Sequence, residues 1–213
     1  MFADRFLAGR SREKPLVSLS AAASSPLKRW PAARLAATAD LLVELFDSEI
    51  LFFSGPEEGA ADPFLAATRH PDRIRPTANL HLKRVSALLS RSVLLICNDT
   101  GLMHMGAALG LPVVAVFGPT SPAVYFPGGA GSAALGGHLP CPHRKTASFG
   151  PPECLVRGEC LQGLRSCIDA VCVDEMAEMV RSRVGEIGNK ARGAEAQEKT
   201  PRGHARSDIP IPR

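Results

Sequence analysis

The sequence predicts an α/β domain, a parallel sheet with helices on both of its faces, on three observations. From Pro15 to Gly118, short apolar runs alternate with stretches of helical period, as strands joined by helical crossovers do. The runs end in turns rich in Ser, Gly, Pro and Asp, residues that punctuate strand ends. With 213 residues and 45% hydrophobic content, the chain can bury a sizeable core without covalent staples.

The elements follow in order. "PLVSLS" (15–20) reads as a first strand. After the loop "AAASSPLKRW", Pro31 stands at the first helical position, and Leu35, Ala39, Leu42, Leu45 and Phe46 recur on one face. "EILFF" (49–53) is a second strand, ended by the turn "SGPEEG". A weaker helix over 62–69 and a very short third strand within "DRIRP" come next. "HLKRVSALLSRS" then places Leu82, Val85, Leu88 and Leu89 at helical spacing before the strand "VLLIC" (93–97). A helix over 102–109 and the strand "PVVAVFG" complete the sheet. Beyond them lie a Gly-rich loop (127–137), a cysteine-containing segment (141–172) and a last helix near 174–184. Residues 1–14 are thus a lead into one domain over 15–184, and the chain has no internal repeat.

Residues 185–213 hold six Lys/Arg and four Asp/Glu, lack apolar periodicity and finish Pro-rich, the composition of a disordered tail. That tail carries two of the formal +4 charges. The rest offers no dense basic stripe, so nucleic acid is not an expected partner. Asp4, Arg5, Arg10, Arg12, Glu13 and Lys14 interrupt the first residues, which therefore contain no apolar signal segment. No run reaches the length of a membrane span. The expected location is cytoplasmic, and the six cysteines are expected as reduced thiols.

The chemistry concentrates in "NDTGLMHMGAALG" (98–110), between two predicted strands. A strand running through Asp-Thr-Gly into a helix puts Asp99 or Thr100 at the N-cap, with a side-chain oxygen on the first backbone N–H groups. The N–H groups left over, with the positive end of the helix dipole, favour an anion. Gly101 lets a phosphate approach the backbone, and His104, about one turn in, can direct a ring N–H at it. Gly106, Ala107 and Ala108 are small enough to seat the helix closely on the sheet. The strands flanking this helix form a βαβ unit, so "NDTG" and "GPTSP" leave the same edge, where open α/β sheets bind ligands. From the same edge, "SSPLKRWP" brings Ser24, Ser25 and Lys28, whose ammonium suits a diphosphate. "SGPEEG" brings Glu57 and Glu58, carboxylates suited to ribose hydroxyls.

Taken together, "NDTGLMHMGAALGLPVVAVFGPTSP", "LKRWP" and "SGPEE" closely resemble the signature elements of glycosyltransferase family 9, the bacterial ADP-heptose:lipopolysaccharide heptosyltransferases. The resemblance implies a GT-B architecture of two Rossmann-like domains facing across a cleft, of which this chain supplies the C-terminal, donor-binding half. It implies that Asp99, Thr100 and Gly101 bind the diphosphate, Lys28 neutralises it, Ser24 contacts it and Glu58 holds the ribose, with His104 the family's histidine after Asp-Thr-Gly. The donor is then an ADP-sugar, ADP-heptose first, and the acceptor a lipopolysaccharide core, with inversion and with neither metal nor other cofactor. Only about 15 residues precede the first strand, so the acceptor-binding domain and its general base are expected to be absent. The chain then reads as a fragment, a truncated chain, half of a two-chain enzyme, a non-catalytic nucleotide-sugar-binding module, or a degenerate remnant. The first loop, "SLSAAASSPLK", also lacks the family's usual glycine.

Cys141, Cys154, Cys160, Cys167 and Cys172, with His138 and His143 nearby, have thiolate and imidazole donors enough for zinc. They contain no Cys-x-x-Cys pair and match no familiar finger, which argues against a metal site; the resemblance implies packing as their role, and Cys97 inside a strand is expected as core. Asp-Thr-Gly also occurs in aspartic proteases, but there β-strands follow and a second copy is required. Here the sequence after it is helical and the motif is single.

Overall fold

A computed structural model describes residues 2–55, 61–137, 140–145, 148–163 and 166–183. Its strands are β1 (Leu16–Ser20), β2 (Glu49–Phe53), β3 (Ile74–Thr77), β4 (Leu94–Asn98), β5 (Val113–Phe117) and β6 (Ala133–Gly136). Its helices are α1 (Phe2–Phe6), α2 (Ala32–Phe46), α3 (Asp62–Leu65), α4 (Leu82–Leu89), α5 (Gly101–Ala108), α6 (Pro122–Tyr125) and α7 (Glu153–Arg157), followed by α8 over 173–183. The six strands form one sheet in the order β3-β2-β1-β4-β5-β6, and every pairing in it is parallel.

Period-two alternation divides the apolar strand residues between two cores. Val17, Leu19, Ile50, Phe52, Leu94, Ile96, Val114 and Val116 meet α2, Phe64 of α3, and Met176 and Val180 of α8. Phe52 and Phe64 stack with ring centroids 3.9 Å apart. On the opposite face, Leu16, Leu51, Phe53, Leu95, Cys97, Val113, Ala115 and Phe117 meet α1, α4 and Met103 of α5. Each fully buried large apolar side chain contributes roughly 1.5–3 kcal/mol, so helices cover both faces for the same reason that the strands read as continuous apolar runs.

Several local expectations are corrected. Pro31 is the N-cap of α2 rather than its first helical residue. Leu45 and Leu82, expected on buried faces, are exposed. The helix expected over 62–69 closes at Leu65. Residues 1–14 are more than a lead: Ala3 is buried, Arg84 lies over the Phe2 ring at 4.9 Å, and Arg91 pairs with Asp4 at 2.8 Å. The Gly-rich loop contains β6, whose register on β5 ends Phe117↔Gly136. Gly136 has φ +87°, and a Cβ there would run into the Phe117 carbonyl, so only glycine fits that close approach. The expected tail, 185–213, lies outside the described residues.

The strand order decides where a ligand can sit. β1 and β4 are neighbours although β2 and β3 intervene in sequence, so the loops leaving their C-terminal ends run in opposite directions. A crevice opens between them, the usual ligand position in open α/β sheets.

Candidate functional site

That crevice holds a pocket of about 440 Å³ lined by Ala22, Ala23, Ser24, Lys28, Asp99, Thr100, Gly101 and His104. Six of the residues singled out from the sequence therefore share one cavity. Ser24 and His104 are exposed on its rim. Glu57 and Glu58 lie outside the described residues. The turn that carries them starts on the same edge, since Gly55 approaches Ala22 and both border a second, largely apolar pocket of about 260 Å³ with Thr77, Ala78, Leu80 and Leu102.

Lys28 is set by a short 3-10 turn, Pro26–Lys28, which Ser25 caps by accepting from the Leu27 N–H at 3.3 Å. Two anchors hold this loop. Asn98, buried at the end of β4, accepts from the Trp30 N–H at 3.1 Å and donates to the carbonyls of Ala21 and Ala22 at 3.0 and 3.3 Å. From the other side, Ser166 donates to the Leu27 carbonyl at 2.8 Å, and the Trp30 indole donates to the Val171 carbonyl at 3.0 Å. From the sequence, Asn98 carried no role, and the 166–171 segment was noted only for Cys167. An asparagine ending a buried strand was the available signal.

The capping expectation at α5 is corrected. Thr100 is the N-cap, but its side chain makes no cap bond, and its buried Oγ1 has no hydrogen-bond partner. Asp99 is engaged elsewhere: its Oδ2 lies 2.6 Å from Lys28 Nζ and accepts from Thr120 Oγ1 at 2.7 Å. The first N–H groups of α5, at Gly101 and Leu102, have no acceptor within the helix, and the N-cap side chain does not take them. A Cβ at Gly101 would meet nothing within 4 Å, so the backbone is open to the pocket. Among the small residues of α5, Gly106 alone is buried; Ala107 is half-buried and Ala108 exposed. A Cβ at Gly106 would press on Leu95 at 2.8 Å and Val113 at 3.1 Å. This one position seats the helix on β4 and β5.

The sequence profile of glycosyltransferase family 9 (heptosyltransferase) matches residues 2–149. The chain belongs to glycosyltransferase family 9. A curated member, lipopolysaccharide heptosyltransferase 2 of Salmonella typhimurium, is 33% identical over 116 residues, covering 53% of this chain and 33% of the relative. Among solved structures, a family 9 glycosyltransferase from Veillonella parvula superposes with TM-score 0.69 at 24% identity, covering 86% of this chain and 50% of the other. The E. coli ADP-heptose lipopolysaccharide heptosyltransferase II superposes with TM-score 0.65 at 22% identity, over 87% and 51%. The chain thus spans about half of the solved family 9 proteins and a third of the curated one. At these identities the superpositions establish the fold, an α/β half of the kind these glycosyltransferases contain.

Away from the crevice, Cys141, Cys154, Cys160 and Cys167 border one cavity of about 30 Å³ together with His143 and Arg144. All are free thiols. Burial pushes the Cys154 and Cys167 thiols up, the Arg144 guanidinium opposing the shift at Cys167. Among the described residues no group of three or more His, Cys, Asp or Glu side chains is disposed to hold a metal ion. His138 lies outside those residues. Cys172 stands apart, exposed, and its Sγ accepts from the Glu175 N–H at 3.5 Å. No helix among the described residues is long and apolar enough to cross a membrane.

Proposed function

We propose that the chain is the C-terminal, donor-binding half of an inverting GT-B glycosyltransferase that transfers a sugar from an ADP-sugar to a lipopolysaccharide core. One observation carries the reading: a lysine, an uncapped helix N-terminus and a histidine line a single pocket at the crevice between β1 and β4. Lys28 is a compact positive charge, and the N–H groups of Gly101 and Leu102 are oriented donors at the positive end of α5. Together they suit a diphosphate. Ser24, the unpartnered Thr100 hydroxyl and His104 add donors around it, while Asp99 holds Lys28. The nucleoside extends into the neighbouring apolar pocket between Gly55 and Leu102, with Glu58 on the ribose.

Catalysis follows from where charge develops. As the bond between sugar and phosphate breaks, negative charge grows on the departing diphosphate. Donors already aimed there lower the barrier more than they stabilise the ground state. The acceptor hydroxyl attacks the opposite face of the sugar, with inversion, and needs a base within hydrogen-bond reach. That base comes with the acceptor-binding half, supplied by a separate chain or by further residues of the protein, at the cytoplasmic surface of the inner membrane. The names of the relatives, two of them heptosyltransferases and one specified for ADP-heptose, support heptose as the sugar.

Titration calorimetry with ADP tests the donor site. Lys28→Ala and Gly101→Val are each expected to weaken ADP at least about tenfold, the loss of one charge-assisted or backbone contact, with an unchanged circular dichroism spectrum. Unaltered affinity in both would place the nucleotide elsewhere. Sugar transfer by this chain alone would refute the need for an acceptor half.

A further inference from the structure

The proposed donor site leaves one neighbouring buried hydroxyl without a role, that of Thr120 in the turn after β5. We propose that Thr120 is a positioning residue that fixes the Lys28 ammonium through Asp99. The inference rests on the donor-site reading and extends it to a residue outside the pocket lining.

The geometry is a relay through one oxygen. Thr120, 5% exposed, donates to Asp99 Oδ2 at 2.7 Å, and Lys28 Nζ lies 2.6 Å from that same oxygen. The Asp99 backbone is already pinned, because its N–H donates to the Val116 carbonyl at 3.2 Å. What remains free is the rotation of the carboxylate. The lysine cannot fix it, since an ammonium on a four-carbon stem follows the carboxylate as readily as it directs it. Thr120 is a β-branched residue with few side-chain rotamers, held in a turn between Gly118 and Ser121. At Gly118, a Cβ would meet the Leu27 carbonyl and Ile168 at 3.0 Å, so the turn is packed directly against the loop that carries Lys28. The hydroxyl therefore transmits the position of β5 to the carboxylate, and the carboxylate transmits it to the ammonium.

A charge-only account makes the opposite prediction. Asp99 cancels the charge of Lys28, so removing the carboxylate would tighten binding of an anion to the pocket. If the carboxylate orients the ammonium, removing it or its fixing hydroxyl weakens binding.

The test is a double-mutant cycle in the full chain, read by calorimetric titration with ADP. Thr120→Val is expected to weaken ADP about tenfold in the wild-type background and not further in Lys28→Met; Thr120→Ser is expected to restore binding. Asp99→Asn is expected to weaken ADP as well. Tighter binding by Asp99→Asn, unchanged affinity in Thr120→Val, or the same loss from Thr120→Val with and without Lys28 would overturn the relay. Should Thr120→Val fail to fold, Asp99→Asn and the Thr120→Ser to Thr120→Ala comparison decide the question by the same criteria. Lys28→Met with wild-type affinity would be a different failure: it removes the donor-site reading, and this inference with it.

Discussion

Thr100 shows how one side chain can be poorly placed for the fold and well placed for a ligand. It occupies the N-cap of α5 yet makes no cap bond, and its buried Oγ1 is without a partner. An unpaired buried hydroxyl costs about 1–3 kcal/mol, and a phosphate oxygen arriving at the helix N-terminus would offset that cost. Thr100→Val keeps the shape and removes the hydroxyl. Its unfolding midpoint in urea is expected to stay level or rise, while ADP affinity falls about three- to tenfold, the worth of one hydrogen bond. A parallel loss of stability and affinity would mean that the hydroxyl serves the fold.

At the scale of elements, two features carry the site, α5 on its sheet and the loop between β1 and α2. Gly106 sits under α5 where a Cβ would press on Leu95 and Val113. Gly106→Val crowds the Leu95 and Val113 side chains, with an expected loss of about 1–3 kcal/mol in chemical denaturation and an expected weakening of ADP binding at the helix N-terminus. The loop depends on Asn98, whose amide serves Trp30, Ala21 and Ala22. Asn98→Ala leaves those buried backbone groups unpaired and is expected to cost about 2–3 kcal/mol. Calorimetry should also find weaker ADP binding, because Lys28 and Ser24 ride on the same loop. A variant that loses stability but binds ADP normally would show that the loop is positioned by the 166–171 segment instead.

For the whole molecule, buried thiols link stability to pH. Burial pushes the Cys97 thiol far above its ordinary value, and Cys154 and Cys167 shift in the same direction. The folded state therefore keeps protons that the unfolded chain releases. This stability is fully present below the ordinary thiol pKa of about 8.5 and is lost as pH rises beyond it, by up to about 1.4 kcal/mol per pH unit for each such group. Urea unfolding at pH 7.5 and 9.5 should record the fall, and Cys97→Val should make it shallower. An identical slope in that variant would remove Cys97 from the account.

The sequence by itself determined the alternation of strands and helices, the parallel sheet, the family, and the residues that converge on the crevice. These were legible because buried parallel strands need unbroken apolar runs, crossovers need helical period, and an anion site at a helix N-terminus needs small and polar residues close together in the chain. Lys28 and Asp99 were each legible as site residues, but not as an ion pair. Asn98 and Thr120 were quoted without a role, α1 was read as a lead, and β6 was hidden in a Gly- and Ala-rich run that lacks the β-branched residues of a strand. Only the tertiary structure decided these points. Which oxygen an ammonium meets, which hydroxyl aligns it and which edge a short strand extends depend on contacts between segments far apart in sequence, and such contacts leave no periodicity in the chain.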